Sequence, residues 1–263
     1  MGIIKLNAFL DKKTTNSITK LSLYQLRDRT MAVDYSIYYY KFKKSRGDND
    51  LISSLKKQIE TFKLFNIHPI YIFDGKPNNN KFDILKNRNK EINRYKEKIK
   101  TENNINLIKK YEKKIVKLNS YEISLCKKLF QENEIEYIQA KGEADDLCCK
   151  MFKENLVYGI FTEDNDLLLG GANIYKGLNN HNDTVFEYNL LNILNELGLS
   201  YNDFLKICLL SGSSYTKKIS NIFKLYEDYK QSKFIYINRY KDKEILYNKW
   251  VNKDLLNNTI TIK

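Results

Sequence analysis

The sequence lacks the features that would place it in or across a membrane. It has no apolar run of the roughly 18 residues that a membrane-spanning helix needs. Its opening residues contain neither the apolar stretch of a signal peptide nor the Ser or Thr at position 6 that a myristoylation site requires. We therefore expect an intracellular protein, in the nucleus or the cytoplasm, with no membrane partner.

Several classes of active site lack their characteristic residues. The only histidines are His68 and His181, and no two cysteines form a C-x-x-C pair, which disfavours a zinc site. Neither the G-x-S-x-G motif of serine hydrolases nor the G-x-x-x-x-G-K-[ST] motif of P-loop NTPases occurs. The cysteines are expected to be buried core thiols in a reducing compartment: Cys126, Cys148, Cys149 and Cys208.

Positive charge, by contrast, is in excess. The 263 residues include 45 Lys and Arg against 32 Asp and Glu, a net charge of +13. The segment from Lys76 to Lys128 holds 16 basic and six acidic residues, so most of the excess lies there. This concentration favours a polyanionic partner such as nucleic acid, although an anionic membrane or a solvated helical surface would also show it.

Strand and helix signals alternate along a chain that is 42% hydrophobic and therefore able to form a core. The apolar runs typical of buried strands are Thr30–Val33, His68–Phe73, Ile135–Ile138 and Val157–Phe161. Helical periodicity covers Ile52–Phe65 and Gly142–Glu154, and a further stripe predicts one helix that includes Ile108, Tyr111, Ile115, Leu118, Leu125 and Leu129. The pattern predicts an α/β fold, with a mostly parallel central sheet and helices on both faces.

Acidic residues follow the predicted strands where each strand ends. Asp34 and Asp74 follow the first two, and Asp164 and Asp166 follow the last; Glu143 and Asp145 come shortly after the third. One such residue is usually a turn or helix cap. Because the carboxyl ends of parallel strands form one edge where ligands bind, several together predict an acidic site.

Clustered carboxylates without supporting His or Cys favour a hard divalent ion. We expect two Mg²⁺ ions, for which Mn²⁺ would substitute, because a pair of ions stabilises the attacking and leaving oxygens of a phosphoryl displacement. Either Asp145 or Asp146 could be the second carboxylate of the helix that begins near Glu143. Helix geometry pairs Glu143 with Asp146, three residues on, rather than with Asp145.

At this point the motifs resemble those of the flap endonuclease family of 5′ nucleases. The resemblance covers roughly residues 1–215. The similar motifs are Met1-Gly2-Ile3, Val33-Asp34-Tyr35-Ser36, Tyr71-Ile72-Phe73-Asp74-Gly75-Lys76-Pro77, Ala140-Lys141-Gly142-Glu143-Ala144-Asp145 and Thr162-Glu163-Asp164-Asn165-Asp166. Each motif alone is weak, but the order and spacing are specific. The resemblance selects Asp145 rather than Asp146 as the second carboxylate of its motif.

The resemblance also implies roles for residues outside the acidic cluster. It implies a basic helical arch at 78–128 inserted in a nuclease core at 1–215, with Lys81 and Arg88 approaching the scissile phosphate. Gly2 would lie near the cleavage site, and Tyr40 would stack on the substrate. Lys217 and Lys218 belong to a small helical, basic region at 216–263, where the family has a duplex-binding element.

Three departures from the family pattern bear on function. Ser214 stands where the family has a last metal-binding aspartate, and the segment around Lys218–Lys224 lacks the glycine of the family's duplex-binding turn. No sliding-clamp peptide is recognisable at the end of the sequence. The shortened C-terminal region and the Asn- and Lys-rich composition would fit a large DNA virus.

The expected function is metal-dependent cleavage of phosphodiester bonds at flaps or single-strand/double-strand DNA junctions, in replication, repair or recombination. The expected metal ligands are Asp34, Asp74, Glu143, Asp145, Asp164 and Asp166. Two alternatives remain: a catalytically weakened scaffold that binds DNA junctions, with Ser214 marking lost metal affinity, or a related 5′ ribonuclease.

Overall fold

The computed structural model describes residues 2–46, 51–76, 82–178, 183–213 and 218–232. Seven strands form one sheet: β1 Ile18–Ser22, β2 Thr30–Asp34, β3 His68–Phe73, β4 Glu136–Gln139, β5 Gly159–Phe161, β6 Ile174–Lys176 and β7 Thr184–Tyr188. Their order is β1-β7-β6-β5-β2-β3-β4. The strands from β6 to β4 are parallel, whereas β7 pairs antiparallel with β6 and β1. The predicted mostly parallel sheet is confirmed.

Helices cover both faces of this sheet. They are α1 Leu6–Lys13, α2 Tyr35–Arg46, α3 Leu51–Leu64, α4 Phe82–Thr101, α5 Ile105–Glu112, α6 Ser120–Glu132, α7 Ala144–Lys153, α8 Leu190–Leu197, α9 Tyr201–Ser211 and α10 Ile222–Gln231. In the described ranges, none is long and apolar enough to cross a membrane.

The strand residues alternate between two hydrophobic cores. In β3, Ile70 and Ile72 join the core that α1 and α7–α10 cover, whereas Tyr71 and Phe73 join the core under α2, α3 and α6. This alternation follows from the two-residue period of a strand, and both faces are apolar because both are covered. All four cysteines are free thiols buried in these cores, as predicted.

The single helix predicted across residues 108–129 is wrong. The structure has two helices there, α5 and α6, and the Asn119 side chain caps the second by accepting from the Tyr121 N–H at 2.9 Å. The apolar spacing continues through the break, but a local cap ends the periodic segment. No residue of α5 is buried, so only α6 packs on the core.

Helices α4 and α5 form a hairpin that packs mainly on itself. Tyr95 and Tyr111 bring their rings to a centroid distance of 5.6 Å, and Lys117 Nζ donates to Asn89 Oδ1 at 2.8 Å. Ile92 is buried but belongs to neither core. The hairpin follows β3 in the chain, the position at which the sequence predicts an arch.

The part of the C-terminal region that is described is helical, as predicted, and packs on the core. In α10, Tyr226 donates to the Leu197 carbonyl at 3.0 Å and Tyr229 donates to Asp203 Oδ2 at 2.9 Å. These aromatic side chains are therefore core residues rather than stacking platforms for bases. The proposed boundary at residue 215 falls outside the described residues.

Candidate functional site

The first two strand ends bring Asp34 and Asp74 to one edge of the sheet. Asp34 is the last residue of β2 and is 3% exposed, and Asp74 directly follows β3, the parallel neighbour of β2. The Ser36 hydroxyl, at the start of α2, donates to Asp74 Oδ2. This contact fixes the Asp74 carboxylate relative to the helix that follows Asp34.

The loop after β5 delivers Asp164 and Asp166 to the same edge. Thr162 Oγ1 donates to Asp34 Oδ2 at 3.2 Å and accepts from the Asp164 N–H at 3.1 Å, so one hydroxyl joins the two strand ends. Asp164 Oδ1 in turn accepts from the Asp166 N–H at 3.0 Å. Asp164 thereby caps a short 3₁₀ helix at 165–168, which orients both carboxylates.

The start of α7 reaches the site from the strand β4 side. The Ala144 N–H donates to Asp74 Oδ1 at 2.9 Å, and the Gly75 N–H donates to the Gly142 carbonyl at 2.6 Å. Glu143 is the N-cap residue, with Asp145 in the first turn. These contacts place the beginning of α7, where the helix dipole is positive, beside Asp74.

Asp145 and Asp146, in the first turn of α7, both lie near buried thiols of the same helix. Burial first, and then the negative charges of Asp34, Asp145 and Asp74, raise the pKa of Cys148. Asp146 is not among these charges; it acts on Cys149, where its effect is weaker than that of Asp145. Asp145 therefore lies near both thiols, as its spacing of three and four residues requires, and the selection of Asp145 over Asp146 stays a prediction.

The N-terminal segment closes the site from the opposite side. The Ile3 N–H donates to Asp166 Oδ1 at 2.8 Å, and the Ile4 N–H donates to the Gly212 carbonyl at 2.9 Å. A Cβ on Gly2 would lie 2.7 Å from Asp166 Oδ1 and 3.2 Å from Asp164 Oδ1. Only glycine fits this approach without displacing a carboxylate.

The carboxylates are close enough to perturb one another. Burial, together with the negative charges of Asp74 and Asp164, raises the pKa of Asp34 to about 7, although hydrogen bonds from the Ile37 N–H and Thr162 oppose the shift. Each of Asp34, Asp74, Asp164 and Asp166 accepts at least one protein hydrogen bond. These donors offset part of the repulsion.

The donor chemistry of this edge fits hard divalent ions, because every candidate ligand is a carboxylate oxygen. Within the described ranges, no three acidic, histidine or cysteine side chains converge tightly enough to enclose an ion as they stand. The carboxylates line one edge without closing around a single point.

The predicted nucleic-acid contacts are described only in part. Tyr40 is half-buried, with its ring centroid 5.6 Å from that of Tyr39 and 5.3 Å from Lys44 Nζ. Lys218 is exposed. Arg88 lies in α4, but its side chain is outside the described residues, as are Lys81, Lys217 and Ser214 in full.

A polar network behind Asp164 and Asp166 is a finding that the sequence did not predict. Lys41 Nζ donates to Glu163 Oε1 at 2.5 Å and to the Leu178 carbonyl at 2.8 Å. Lys176 Nζ donates to Asn165 Oδ1 at 2.9 Å. Glu163 and Asn165 alternate with Asp164 and Asp166 in the loop, and that alternation was the signal available for a supporting network.

Two family models match the chain. The XPG N-terminal domain matches residues 1–97 and the XPG I-region matches residues 134–214. The matched segments contain all six candidate carboxylates, and the interval between them contains the whole of α5 and α6. Together they cover the sheet strands from β1 to β7.

Curated relatives are named flap endonuclease 1. That of Leishmania braziliensis is 30% identical over 245 residues, an alignment that covers 84% of this chain and 62% of the relative. That of Chlamydomonas reinhardtii is 31% identical over 242 residues, covering 84% and 61%. The chain thus spans about three-fifths of the length of these relatives.

Solved structures share the fold. The catalytic core of Rad2 in complex with DNA substrate superposes with a TM-score of 0.66 at 23% identity, covering 92% of this chain and 73% of that one. Flap endonuclease-1 from Methanococcus jannaschii gives 0.64 at 19% identity, covering 89% and 81%.

Proposed function

Since the chain belongs to the XPG and flap endonuclease family, we propose that it is a metal-dependent, structure-specific 5′ nuclease. Its substrate is branched or flapped DNA, and its reaction is hydrolysis of a phosphodiester bond near a single-strand/double-strand junction. This substrate places the protein wherever DNA is replicated, repaired or recombined, in the nucleus or the cytoplasm.

The observation that carries the proposal is a set of long-range hydrogen bonds at one edge of the sheet. They join the acidic strand ends to another strand, to the start of α7 and to the N-terminal segment. Thr162 joins β5 to Asp34, Ala144 joins α7 to Asp74, and Ile3 joins the N-terminal segment to Asp166. Distant parts of the chain are thus held so that their carboxylates face one edge. Residues that served only as turn or helix caps would need only local hydrogen bonds. These hydrogen bonds instead join distant segments of the chain, which favours a shared site.

We assign the metal-binding role to the carboxylates at this edge: Asp34, Asp74, Glu143, Asp145, Asp164 and Asp166. When bound, two Mg²⁺ ions would lower the pKa of a water molecule and neutralise charge on the reacting phosphate. Oxygen-only ligands favour Mg²⁺ and allow Mn²⁺. The chain's own contribution is to orient these carboxylates. At Gly2, the lack of a side chain lets the backbone lie close to Asp164 and Asp166.

The basic segment supplies the attraction for the substrate. Its net charge of +10, from 16 basic and six acidic residues between Lys76 and Lys128, lies directly after Asp74. Phosphate contacts by such side chains release counterions and provide most of the sequence-independent affinity for nucleic acid. Lys81 and Arg88 are proposed to steer and polarise the phosphate, and Tyr40, Lys217 and Lys218 to contact the rest of the DNA.

The test is cleavage of a labelled 5′-flap DNA with Mg²⁺, Mn²⁺ or EDTA. Asp164→Asn should abolish cutting while binding persists, because it removes one carboxylate charge from the site. Asp183→Asn is the matched control, since Asp183 is exposed and lies outside the cluster. Cutting at the junction that needs metal and Asp164 supports the proposal.

Other outcomes separate the alternatives. Tight DNA binding without cutting in either metal would favour the junction-binding scaffold, and Ser214→Asp would then be the informative variant. Cutting of an RNA flap but not of the DNA flap would favour a 5′ ribonuclease. Full activity of Asp164→Asn would remove Asp164 from the metal site.

A further inference from the structure

Lys5 adopts a backbone conformation that lysine normally avoids. Its φ of 62° and ψ of 16° are left-handed, and it precedes α1 as the N-cap residue without a side-chain capping hydrogen bond. Four other described non-glycine residues have positive φ: Asp28, Asn66, Glu134 and Asn155. Each of those follows a helix or 3₁₀ turn, where a left-handed residue is ordinary. Lys5 instead comes before a helix, where Ser, Thr, Asp, Asn or Gly is favoured.

The strained backbone is held in place from both sides. Before Lys5, the Ile3 N–H binds Asp166 and the Ile4 N–H binds the Gly212 carbonyl. After it, the Phe9 N–H donates to the Lys5 carbonyl at 2.9 Å. Strain that the surrounding structure maintains is a reason to look for a function of the residue concerned.

The position of Lys5 suggests what that function is. Lys5 lines the cleft that Gly2, Asp164 and Asp166 also line, and its side chain is exposed. Across the described residues its ammonium group makes no ion pair or side-chain hydrogen bond. Lys41 and Lys176, which lie behind Asp164 and Asp166, are instead engaged with Glu163 and Asn165.

A phosphodiester strand that enters this cleft meets carboxylates, which repel it. A lysine at the edge of the cleft supplies a positive ammonium group on a flexible side chain, with three hydrogen-bond donors. Such a group suits a phosphate whose position varies along a strand. We propose that Lys5 binds a phosphate of the substrate strand beside the acidic edge, an inference that rests on the proposed nuclease function. This residue would add to the affinity provided by the basic segment.

The test compares Lys5→Gln, Lys5→Gly and Lys20→Gln in binding a 5′-flap DNA in EDTA across a salt series. Lys20→Gln is the matched control because Lys20 is an exposed lysine on β1, away from the cleft. Both Lys5 variants should bind several-fold more weakly, and the slope of log affinity against log salt should fall by about 0.7 to 0.9, as for one lost phosphate contact. Lys20→Gln should keep the original slope.

Lys5→Gly separates binding from folding. Glycine accepts the left-handed conformation without strain, so this variant should unfold at the same or a higher temperature than the parent protein while still losing the phosphate contact. A purely structural lysine would give unchanged binding in both Lys5 variants.

An unchanged salt slope for Lys5→Gln and Lys5→Gly overturns the assignment, and the nuclease proposal stands if the parent protein cuts flap DNA. Failure of the parent protein both to bind and to cut flap DNA overturns both. Parent cleavage together with a reduced slope in both Lys5 variants supports both.

Discussion

Ile3 and Asp166 are 163 residues apart in the chain, yet the Ile3 N–H donates to Asp166 Oδ1 at 2.8 Å. The contact ties the N-terminal segment to the loop after β5 and holds one candidate metal ligand by a backbone group. A backbone donor cannot be removed by side-chain substitution at Ile3. Its role is therefore best probed through the neighbouring Gly2.

Gly2→Ala should slow flap cleavage at least tenfold with little change in the melting temperature. The added Cβ would lie 2.7 Å from Asp166 Oδ1, so the carboxylate must move, and small displacements in an active site cost about 100-fold in rate. Single-turnover cleavage and thermal unfolding measure the two effects. Gly142→Ala is the control, because a Cβ there meets nothing within 4 Å. Equal rates for the two variants would contradict a close approach at Gly2.

Ser36→Ala should weaken metal binding rather than the intrinsic rate. The Ser36 hydroxyl donates to Asp74 Oδ2, and loss of a group that orients a metal ligand typically costs 10- to about 100-fold in metal affinity or activity. Cleavage rates across a Mg²⁺ series should shift to higher concentration and recover at saturation. Ser124→Ala removes an exposed hydroxyl that donates to the Tyr121 carbonyl, and should leave the series unchanged. A Ser36→Ala series that overlays the parent would exclude this orienting role.

Neutralising Lys81 and Arg88 together should reduce the rate of cleavage about 100-fold, the effect of losing a donor to a reacting oxyanion. The Mg²⁺ dependence should not move, because neither residue is proposed to touch a metal. Replacing Lys90 and Lys96, both exposed in α4, removes the same charge from the same basic segment. If both pairs of substitutions slow cleavage equally, the segment acts through net charge alone.

Glu196 should make stability depend on acidic pH. Hydrogen bonds from the Ser17 hydroxyl and from the N–H groups of Thr15, Asn16 and Ser17 lower the pKa of Glu196 from 4.5 to about 2. Because the folded-state pKa is depressed, the stabilisation is present above the ordinary value and is lost as pH falls from 4.5 through 2.

Glu196→Gln should consequently lose stability relative to the parent at pH 7, and the difference should narrow below pH 4. Urea unfolding at pH 7 and at a pH below 4 measures the difference in stability between Glu196→Gln and the parent protein. Glu132→Gln, which alters an exposed carboxylate 3.9 Å from Lys128, should show little difference at either pH. A constant gap between Glu196→Gln and the parent at all pH values would mean that the carboxylate charge is not what Glu196 contributes.

The strands at the centre of the sheet were predictable because burial on both faces leaves a continuous apolar run. The run at 30–33 and that at 68–73 coincide with β2 and β3 to within one residue. β6 has only two consecutive apolar residues, Ile174 and Tyr175, between Asn173 and Lys176, so it gives no such signal. The fold class and the acidic edge thus followed from pattern alone, whereas β1, β6 and β7 did not.

Contacts across the site were not predictable, since they join residues with no local relationship. Thr162 binding to Asp34 and Ile3 binding to Asp166 depend on the completed sheet. The left-handed backbone conformation of Lys5 was also not predictable, because lysine is not a residue type that indicates a positive φ. The break between α5 and α6 was missed because the cap of Asn119 interrupts an apolar spacing that continues beyond it.

The hairpin of α4 and α5 leaves the crossover from β3 to β4 before α6 completes it, and its contacts are largely internal. Among the described residues, the sheet packs mainly against helices other than α4 and α5. Under the proposed function, changes in the length of the hairpin, and in its charges other than Lys81 and Arg88, would alter which DNA shapes bind while leaving the carboxylate edge in place.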